Sequence, residues 1–270
     1  MTVTKTVKRT NVAGATPRMG GQRRLKILEW LQEEGSARVR DLSSAFGVSE
    51  VTIRQDLERL ELDGIVIREH GGAYLKTIQQ QVSALALQHR MNMDQKARIG
   101  RAAARLVADG ETVILDSGST TTEVAANLLR HRDLTVITNG LNIALLLGAA
   151  PSLDVHMPGG HFKAPTLSLS GEKSADYFKG LFAQRLFLAT AAVSVEAGLT
   201  FPSLADLHVK RAMIESATHV YLVADSSKIG HTAFTSLGPI SLVHTLITDD
   251  GCTDAQRAQF EAAGLEVLIA

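Results

Sequence analysis

Helical patterns alternate with short apolar β-prone runs between residues 94 and 270, and no other feature of the sequence constrains the fold as strongly. The β-prone runs occupy residues 112–115, 134–138, 154–157, 185–188, 220–224, 244–248 and 266–269. Helical patterns at residues 94–107, 121–129, 172–182, 205–217 and 253–263 separate most of them. Strands that alternate with helices in this way usually form a parallel sheet. The sequence therefore predicts an α/β domain whose largely parallel sheet is covered by helices on both faces.

Residues 22–74 show a different, mostly helical pattern. A first helix with leucines on one face ends at Gly35, and a shorter second helix ends at Gly47. Ser49 is a favourable N-cap for a third helix. A β-prone run at residues 65–68 is followed by Gly71-Gly72, which allows a tight reversal. Three helices and a hairpin predict a winged helix-turn-helix.

Charge is distributed unevenly, although 28 Lys and Arg balance 28 Asp and Glu. Seven basic residues precede the first acid, Glu29, so the neutral total does not argue against nucleic-acid binding. Residues 1–21 are basic, contain glycines and have few apolar residues, which predicts a mostly disordered arm. That arm is either a solvated tail or a DNA contact. Residues 75–93 are polar and glutamine-rich, which predicts a linker to the domain at 94–270.

Several classes of protein find no support in the sequence. The longest apolar stretch, Ile143 to Ala150, is too short to cross a bilayer, and no secretory signal is evident. The single cysteine, Cys252, excludes an internal disulfide and agrees with a cytoplasmic location. No metal-binding His pair, nucleophile elbow or phosphate loop of a nucleotide hydrolase occurs. We therefore expect no metal, no cofactor and no catalytic residues.

The third predicted helix has a polar face typical of a DNA-recognition helix. The apolar positions between Val48 and Leu57 are expected to face inward. The start of such a helix reaches base edges in the major groove, and a wing reaches phosphates or the minor groove. We predict that DNA is contacted by Ser49, Glu50, Thr52, Arg54, Gln55, Arg59, Arg68 and His70. Two alternatives stay open: an ion pair of Arg54 with Glu50 or Glu58, and a turn-stabilising hydrogen bond of His70.

Residues 113–122 pass from a strand through a loop of small residues into a helix. Unpaired amides and the helix dipole at such a helix start favour anions. Polar loops also follow strands at 138–142, 159–163 and 225–228, and carboxyl ends of parallel strands share one edge. We predict an effector site formed by Asp116, Ser117, Gly118, Ser119, Thr120, Thr121, Asn139, Gly140, Gly160, Lys210, Asp225 and Lys228. An ordinary capped turn at 116–122 and a solvated helix face for Lys210 are the alternatives.

Motifs in both halves carry a family resemblance. Residues 22–74 contain Val48-Ser-x-x-Thr-Ile-Arg-x-Asp-Leu and Arg68-x-His-Gly-Gly-Ala, and they resemble the DNA-binding domain of the DeoR family of bacterial sugar-operon repressors. Asp116-Ser-Gly-Ser-Thr-Thr, Thr138-Asn-Gly-Leu-Asn-Ile and Asp225-Ser-Ser-Lys228 resemble that family's effector domain. Met157-Pro-Gly-Gly-His161 is similar to the branch that represses N-acetylgalactosamine and galactosamine catabolism.

The resemblance implies a function and a fold. It implies a repressor that binds double-stranded operator DNA, has no membrane contact, and is released by a phosphorylated sugar. The effector domain would resemble ribose-5-phosphate isomerase and glucosamine-6-phosphate deaminase in fold. A homo-oligomer, dimer or tetramer, is expected because one winged helix covers only a short half-site.

The chain departs from the family's pattern at residues 188–195, where many relatives carry an acid and this chain carries none. Without that carboxylate, an isomerase-like enzyme lacks its expected base. A sugar-phosphate isomerase or deaminase with a DNA-binding head therefore remains only an alternative. Regulation through a protein partner is a third possibility.

Overall fold

The computed structural model describes residues 17–34, 36–69, 71–75, 91–163, 166–202, 204 and 206–270. They form an N-terminal head of three helices and a small sheet, followed by an α/β domain around a seven-stranded sheet. Across those ranges, no helix is both long enough and apolar enough to pass through a membrane.

The head is a winged helix-turn-helix, as the sequence predicts. Its helices are α1 (Pro17–Glu34), α2 (Val39–Phe46) and α3 (Glu50–Leu62). Its strands β1 (Ser36–Arg38), β2 (Val66–Glu69) and β3 (Gly72–Leu75) form an antiparallel sheet in the order β1-β3-β2. Gly47 ends α2 with a φ of 62°, and the Ser49 side chain caps α3 by accepting a bond from the Thr52 amide at 3.2 Å.

An ion-pair cluster holds α1 against α3 in the head. Asp56 is buried on α3, and its carboxylate pairs with Arg23 and, at 3.4 Å, with Arg24 on α1. Buried Ile27, Leu31, Leu42, Ile53 and Leu57 form the apolar core around it. Two of the seven basic residues that precede Glu29 therefore stabilise the fold of the head.

The α/β domain is built on one parallel sheet, which confirms the predicted fold class. The strands of the sheet are β4 (Thr112–Leu115), β5 (Leu134–Thr138), β6 (Leu153–His156), β9 (Ala183–Ala189), β12 (Ala217–Val223), β14 (Thr245–Thr248) and β15 (Glu266–Ile269). Their order in the sheet is β15-β14-β12-β9-β4-β5-β6. Short antiparallel strands lie outside it: β7 (His161–Lys163), β8 (Ser168–Ser170), β10 (Ala192–Ser194), β11 (Gly198–Phe201) and β13 (Thr235–Gly238).

Helices cover both faces of this sheet. They are α4 (Met93–Ala104), α5 (Ser119–Leu128), α6 (Leu141–Leu147), α7 (Glu172–Asp176), α8 (Leu207–Glu215) and α9 (Asp254–Ala262). Side chains alternate along each strand, so Val113 and Leu115 pack with α4, α5 and α6. Ile114 faces the opposite core, which includes buried residues of α8 and α9. Two apolar layers therefore enclose the sheet.

The structure differs from the sequence prediction at several element boundaries. The arm predicted to be disordered over residues 1–21 is helical from Pro17, since proline is compatible with the first turn of a helix; residues 1–16 lie outside the described residues. The helix predicted at 172–182 ends at Asp176. The predicted linker, 75–93, lies mostly outside the described residues, and its two ends belong to β3 and α4.

Candidate functional site

A cavity lies where the strand order of the main sheet reverses. From β4, the chain adds β5 and β6 toward one edge, whereas β9, β12, β14 and β15 extend the sheet in the other direction. Ligands of open α/β sheets bind beside the carboxyl ends of strands at such a reversal. The cavity holds about 120 Å³ and is lined by residues 117–120 after β4, 189–191 at the end of β9 and 223–224 at the end of β12.

The loop after β4 presents the start of α5 to this cavity. Ser119 and Thr120 line it, and the first amides of an α-helix have no acceptor within the helix. Thr121 and Thr122 turn their hydroxyls away, donating to the Gly118 carbonyl at 3.0 and 2.7 Å. At Gly118, a Cβ atom would lie 2.8 Å from the Cβ of Ala189, so glycine is required for this close approach. The loop thus offers amides, the hydroxyls of Ser117, Ser119 and Thr120, and the positive end of a helix dipole.

One member of a buried ion pair, Lys210, lines the cavity. Asp116 is completely buried, pairs with Lys210 from α8, and accepts hydrogen bonds from the amides of Ser117 at 2.9 Å and Ala189 at 3.0 Å. Burial raises the pKa of Asp116, while the Lys210 ammonium and the Ala189 amide oppose that shift. Lys210 also lies over the Phe201 ring, 4.8 Å from its centroid. The alternative of a solvated helix face for Lys210 is therefore wrong: the side chain is only 6% exposed.

Two further lysines line the same cavity. Lys228 lies in the 3-10 turn Ser226–Lys228 that follows β12, and Lys96 lies on α4. Burial lowers the pKa of Lys96, and Lys228 lowers it further against the opposing carboxylates of Asp225, Glu29 and Glu123. The sequence prediction missed Lys96, although it is the one lysine in the buried stripe of α4.

Carboxylates also reach this cavity. Asp206, just before α8, accepts a bond from Lys163 at 2.9 Å through one oxygen; its other oxygen, Oδ1, is buried and accepts no hydrogen bond within the described part of the chain. Residues 188–195 carry no acid, as the sequence indicates, but Asp206 brings a carboxylate into the cavity from another element. Glu29, on α1 of the head, also lines it. Sequence reasoning missed both acids.

The remaining predicted effector residues support the loops around the cavity. Asn139 accepts a bond from the Ser117 amide at 2.9 Å and donates to the Leu169 carbonyl, and Gly140 lies beside Ser117. Asp225 caps the turn at 226–228. Gly160 lies against Ser174 and does not line the cavity. The structure thus brings six of the predicted residues to the cavity wall: Ser117, Gly118, Ser119, Thr120, Lys210 and Lys228.

Most of the predicted DNA-contacting residues lie on an exposed surface of α3 and the wing. Ser49, Arg54, Gln55, Arg59 and Arg68 are exposed, whereas Glu50 and Thr52 are partly exposed. His70 lies outside the described residues. Val51, expected to face inward, is 61% exposed because it lies on the outer side of α3. Thymine methyl groups accept such apolar contacts in the major groove.

Two of the three arginines on this surface have partners within the head. Arg54 pairs with Glu50, four residues earlier, at 2.6 Å, which is the alternative foreseen for it. Arg68 of the wing pairs with Glu61 at 3.0 Å and donates to the Arg54 carbonyl at 3.4 Å. Exposed ion pairs contribute little stability, so DNA can replace these carboxylates at small cost.

Comparison with known families matches both halves of the chain. Residues 23–79 match the model for the DeoR-like helix-turn-helix domain, and residues 91–250 match the model for the DeoR C-terminal sensor domain.

No three His, Cys, Asp or Glu side chains converge as a metal site would require, in so far as the chain is described.

Similar proteins match along nearly the whole chain. A putative aga operon transcriptional repressor of Escherichia coli is 32% identical over 92% of this chain and 93% of its own length. The transcriptional repressor GlcR of Bacillus subtilis is 32% identical over 92% of this chain and 95% of its own. The glycerol-3-phosphate regulon repressor of Escherichia coli is 31% identical over 84% and 90%, respectively.

Solved structures match more weakly. Ribose 5-phosphate isomerase A from Neisseria gonorrhoeae has a TM-score of 0.37 and 13% identity over 50% of this chain and 52% of its own. The delta subunit of eIF2B from Chaetomium thermophilum has a TM-score of 0.44 and 13% identity over 84% and 70%. Scores this low support no conclusion about function.

Proposed function

The chain belongs to the DeoR family, and from that premise we propose that it is a sequence-specific DNA-binding repressor of a carbohydrate catabolic operon, released from its operator by a phosphorylated sugar. Relatives of similar length are named as repressors of an aga operon and of a glycerol-3-phosphate regulon. The exposed polar face of α3 supports the DNA-binding half of the proposal.

The observation that carries the effector half is the convergence of three lysines and a helix start on one cavity. Lys96, Lys210 and Lys228 come from three separate elements, and the start of α5 adds amides with the hydroxyls of Ser119 and Thr120. A phosphate dianion is the ligand that this set of donors and cations fits best.

Acceptor groups at the same cavity support a sugar attached to that phosphate. The buried Oδ1 of Asp206 is suited to accept a hydrogen bond from a sugar hydroxyl or from the ammonium group of an amino sugar. The Phe201 ring, also in the lining, is suited to pack against an apolar sugar face. An amino-sugar phosphate such as galactosamine 6-phosphate uses both kinds of group.

Release of DNA by an effector requires negative coupling between two sites. The effector must bind the DNA-free arrangement of the heads more tightly than the DNA-bound arrangement. The ratio of these two affinities equals the factor by which the effector weakens operator binding. We propose that two or more copies of the chain pair their heads on one operator, because a single winged helix reads only a half-site.

Ser119→Asp is expected to weaken effector binding, because it adds a carboxylate where the phosphate is proposed to bind. Two like charges about 4 Å apart repel by roughly 1 kcal/mol in water and roughly 4 kcal/mol near a protein surface, so affinity should fall by at least about fivefold. Isothermal titration calorimetry with galactosamine 6-phosphate, glucosamine 6-phosphate, ribose 5-phosphate and inorganic phosphate measures this loss. Ser119→Asn is the control, since it has similar size and no charge.

The outcome separates the proposed function from its alternatives. If the unmodified protein binds none of these phosphates, the phosphorylated-sugar effector is wrong, and regulation through a protein partner becomes the better hypothesis. If the protein converts one of them into product, it is an enzyme with a DNA-binding head, and Asp206 becomes the first candidate for its base.

A further inference from the structure

The DNA-binding head reaches into the candidate effector cavity. Glu29 projects from α1, and its Oε1 atom accepts a hydrogen bond from the Lys228 Nζ atom at 3.0 Å. Glu29 lines the cavity together with Lys96 and the loop at 117–120. A carboxylate of the head therefore forms an ion pair with Lys228, a lysine that the proposed phosphate would also contact.

The next residue of α1 makes a second contact between the head and the α/β domain. The Trp30 ring lies 5.7 Å from the Phe234 ring across the two domains, and 6.3 Å from Phe46 within the head. Burial lowers the pKa of His231, and Lys26 on the same face of α1 contributes to that shift. One face of α1 thus lies beside the segment that follows Lys228.

The cavity is small while Glu29 is in place. It holds about 120 Å³, whereas pockets for small-molecule ligands usually hold about 300–1,000 Å³. Glu29 is part of the wall that limits it. Withdrawal of this side chain enlarges the cavity and removes one carboxylate from the Lys228 ammonium, where another anion can then bind.

We propose that Glu29 occupies the effector's anion site in the ligand-free protein, so that docking of the head through α1 and binding of a phosphorylated sugar exclude each other. This inference rests on the proposed function, since it assigns a regulatory role to the same cavity. Glu29 acts as an internal substitute for the phosphate, and effector binding releases the head.

Simple electrostatics makes the two states exclusive. Two anions on the same lysine repel each other strongly in a partly buried site, where screening by water is weak. The phosphate carries more charge than a carboxylate and also uses the amides of α5, so it outcompetes Glu29. Because α1 is joined to α3 through Arg23 and Asp56, displacement of Glu29 moves the DNA-reading helix as well.

The docked head keeps its DNA-reading surface accessible. Arg54, Gln55 and Arg59 are exposed while Glu29 contacts Lys228. Docking therefore holds the head in one position without covering the recognition helix, and in an oligomer it fixes the distance between heads. Release by the effector removes that fixed spacing, which agrees with weaker operator binding in the presence of effector.

The test uses the full-length protein and two variants. Glu29→Gln removes the competing carboxylate, and Phe234→Ala weakens docking without changing any charge at the cavity; the Phe234 side chain is 61% exposed, so its loss should not unfold the domain. Affinity for galactosamine 6-phosphate, glucosamine 6-phosphate, ribose 5-phosphate and inorganic phosphate is measured by calorimetry. Trp30 is the only tryptophan of the chain, so its fluorescence reports whether the head is docked.

We expect ligand binding to shift the Trp30 emission of the unmodified protein. The ligand-free Glu29→Gln variant should already show the shifted emission and should bind the sugar phosphate at least about fivefold more tightly, the lower end of usual coupling between two sites. Phe234→Ala should also bind more tightly, by at least about twofold, because a larger fraction of its heads is released. Glu58→Gln, the same substitution elsewhere on the head, should change neither emission nor affinity.

Three results overturn the inference. If the sugar phosphate binds but leaves Trp30 emission unchanged, the head does not move, and the proposed function stands without this mechanism. If Glu29→Gln tightens binding and Phe234→Ala does not, Glu29 acts only as a local charge. If the unmodified protein binds none of the four phosphates, the inference fails together with the effector half of the proposed function.

Discussion

Asp116→Ala is expected to destabilise the α/β domain by about 3–5 kcal/mol, because it leaves the Lys210 ammonium buried without a counter-ion. The substitution also removes the acceptor of the Ala189 amide, and one unsatisfied buried donor adds about 1–3 kcal/mol, whereas the Ser117 amide keeps Asn139 as an acceptor. Urea unfolding followed by far-ultraviolet circular dichroism measures the loss. A midpoint equal to that of the unmodified protein would show that Lys210 leaves the interior or loses its proton without cost.

A matched variant separates the buried charge from the packing of the side chains. Lys210→Met removes the ammonium and keeps the volume, so that Asp116 lacks its counter-ion and its pKa rises further above the ordinary 3.8. A carboxyl group whose pKa is raised by folding stabilises the folded state at pH values below its pKa in the unfolded chain. That contribution is lost as pH rises through its pKa in the folded protein. The deficit of Lys210→Met should therefore shrink toward pH 4 and grow toward neutrality. Asp116→Ala leaves no carboxyl group, so it should not show this pH dependence.

The elements that could be predicted from sequence are those fixed by local periodicity. The apolar runs of β4 and β5 and the polar loop at 116–120 carry their signals within a few residues, and the parallel sheet follows from their alternation with helices. Local pattern does not fix an element's boundary where pairing with a neighbouring strand extends the element. The strand β12 begins at Ala217, three residues before its apolar run, because it pairs with β9 from Ala183 onward. The partner strand is distant in the sequence, so the residues of β12 alone do not indicate where the strand begins.

The parts of the cavity that sequence reasoning missed depend on contacts distant in the chain. Lys210 lies in a helical segment whose sequence is typical of a solvated helix face. Only its contact with Asp116, 94 residues away, explains its burial. Lys96 lies on α4 and Asp206 immediately precedes α8, so neither belongs to the polar loops at strand ends from which the site was predicted. The strands β10, β11 and β13 have three or four residues each, too few for a periodic signal.

Glu29 shows a further limit of sequence reasoning. In the sequence it is only the first acid after a basic segment, and its charge suggests a solvated residue. In the structure its carboxylate accepts a hydrogen bond from Lys228, 199 residues away, in a contact between two domains. The uneven charge along the chain thus has structural roles inside the protein, since Arg23 and Arg24 also pair with a buried acid.

Arg54→Ala is expected to weaken specific DNA binding by about 1–3 kcal/mol, or roughly fivefold to more than a hundredfold, if its guanidinium contacts a base. The fold should not change, because the Arg54 side chain is exposed and its ion pair with Glu50 contributes little stability. The measurement is a mobility-shift titration with a DNA duplex selected by the unmodified protein from a random pool. Arg130→Ala, the same substitution at an exposed position of the α/β domain, is the control and should bind that duplex unchanged.

The salt dependence of that titration distinguishes base from phosphate contact. If Arg54 binds a phosphate, Arg54→Ala weakens binding to all sequences alike, and the slope of log affinity against log salt falls by about one. If Arg54 reads a base, discrimination relaxes at one position of the selected site while the slope is nearly kept. If affinity is unchanged at every salt concentration, Arg54 does not contact DNA and its role is the ion pair with Glu50. The recognition contacts would then have to come from Val51, Gln55 and Arg59 on the same exposed face.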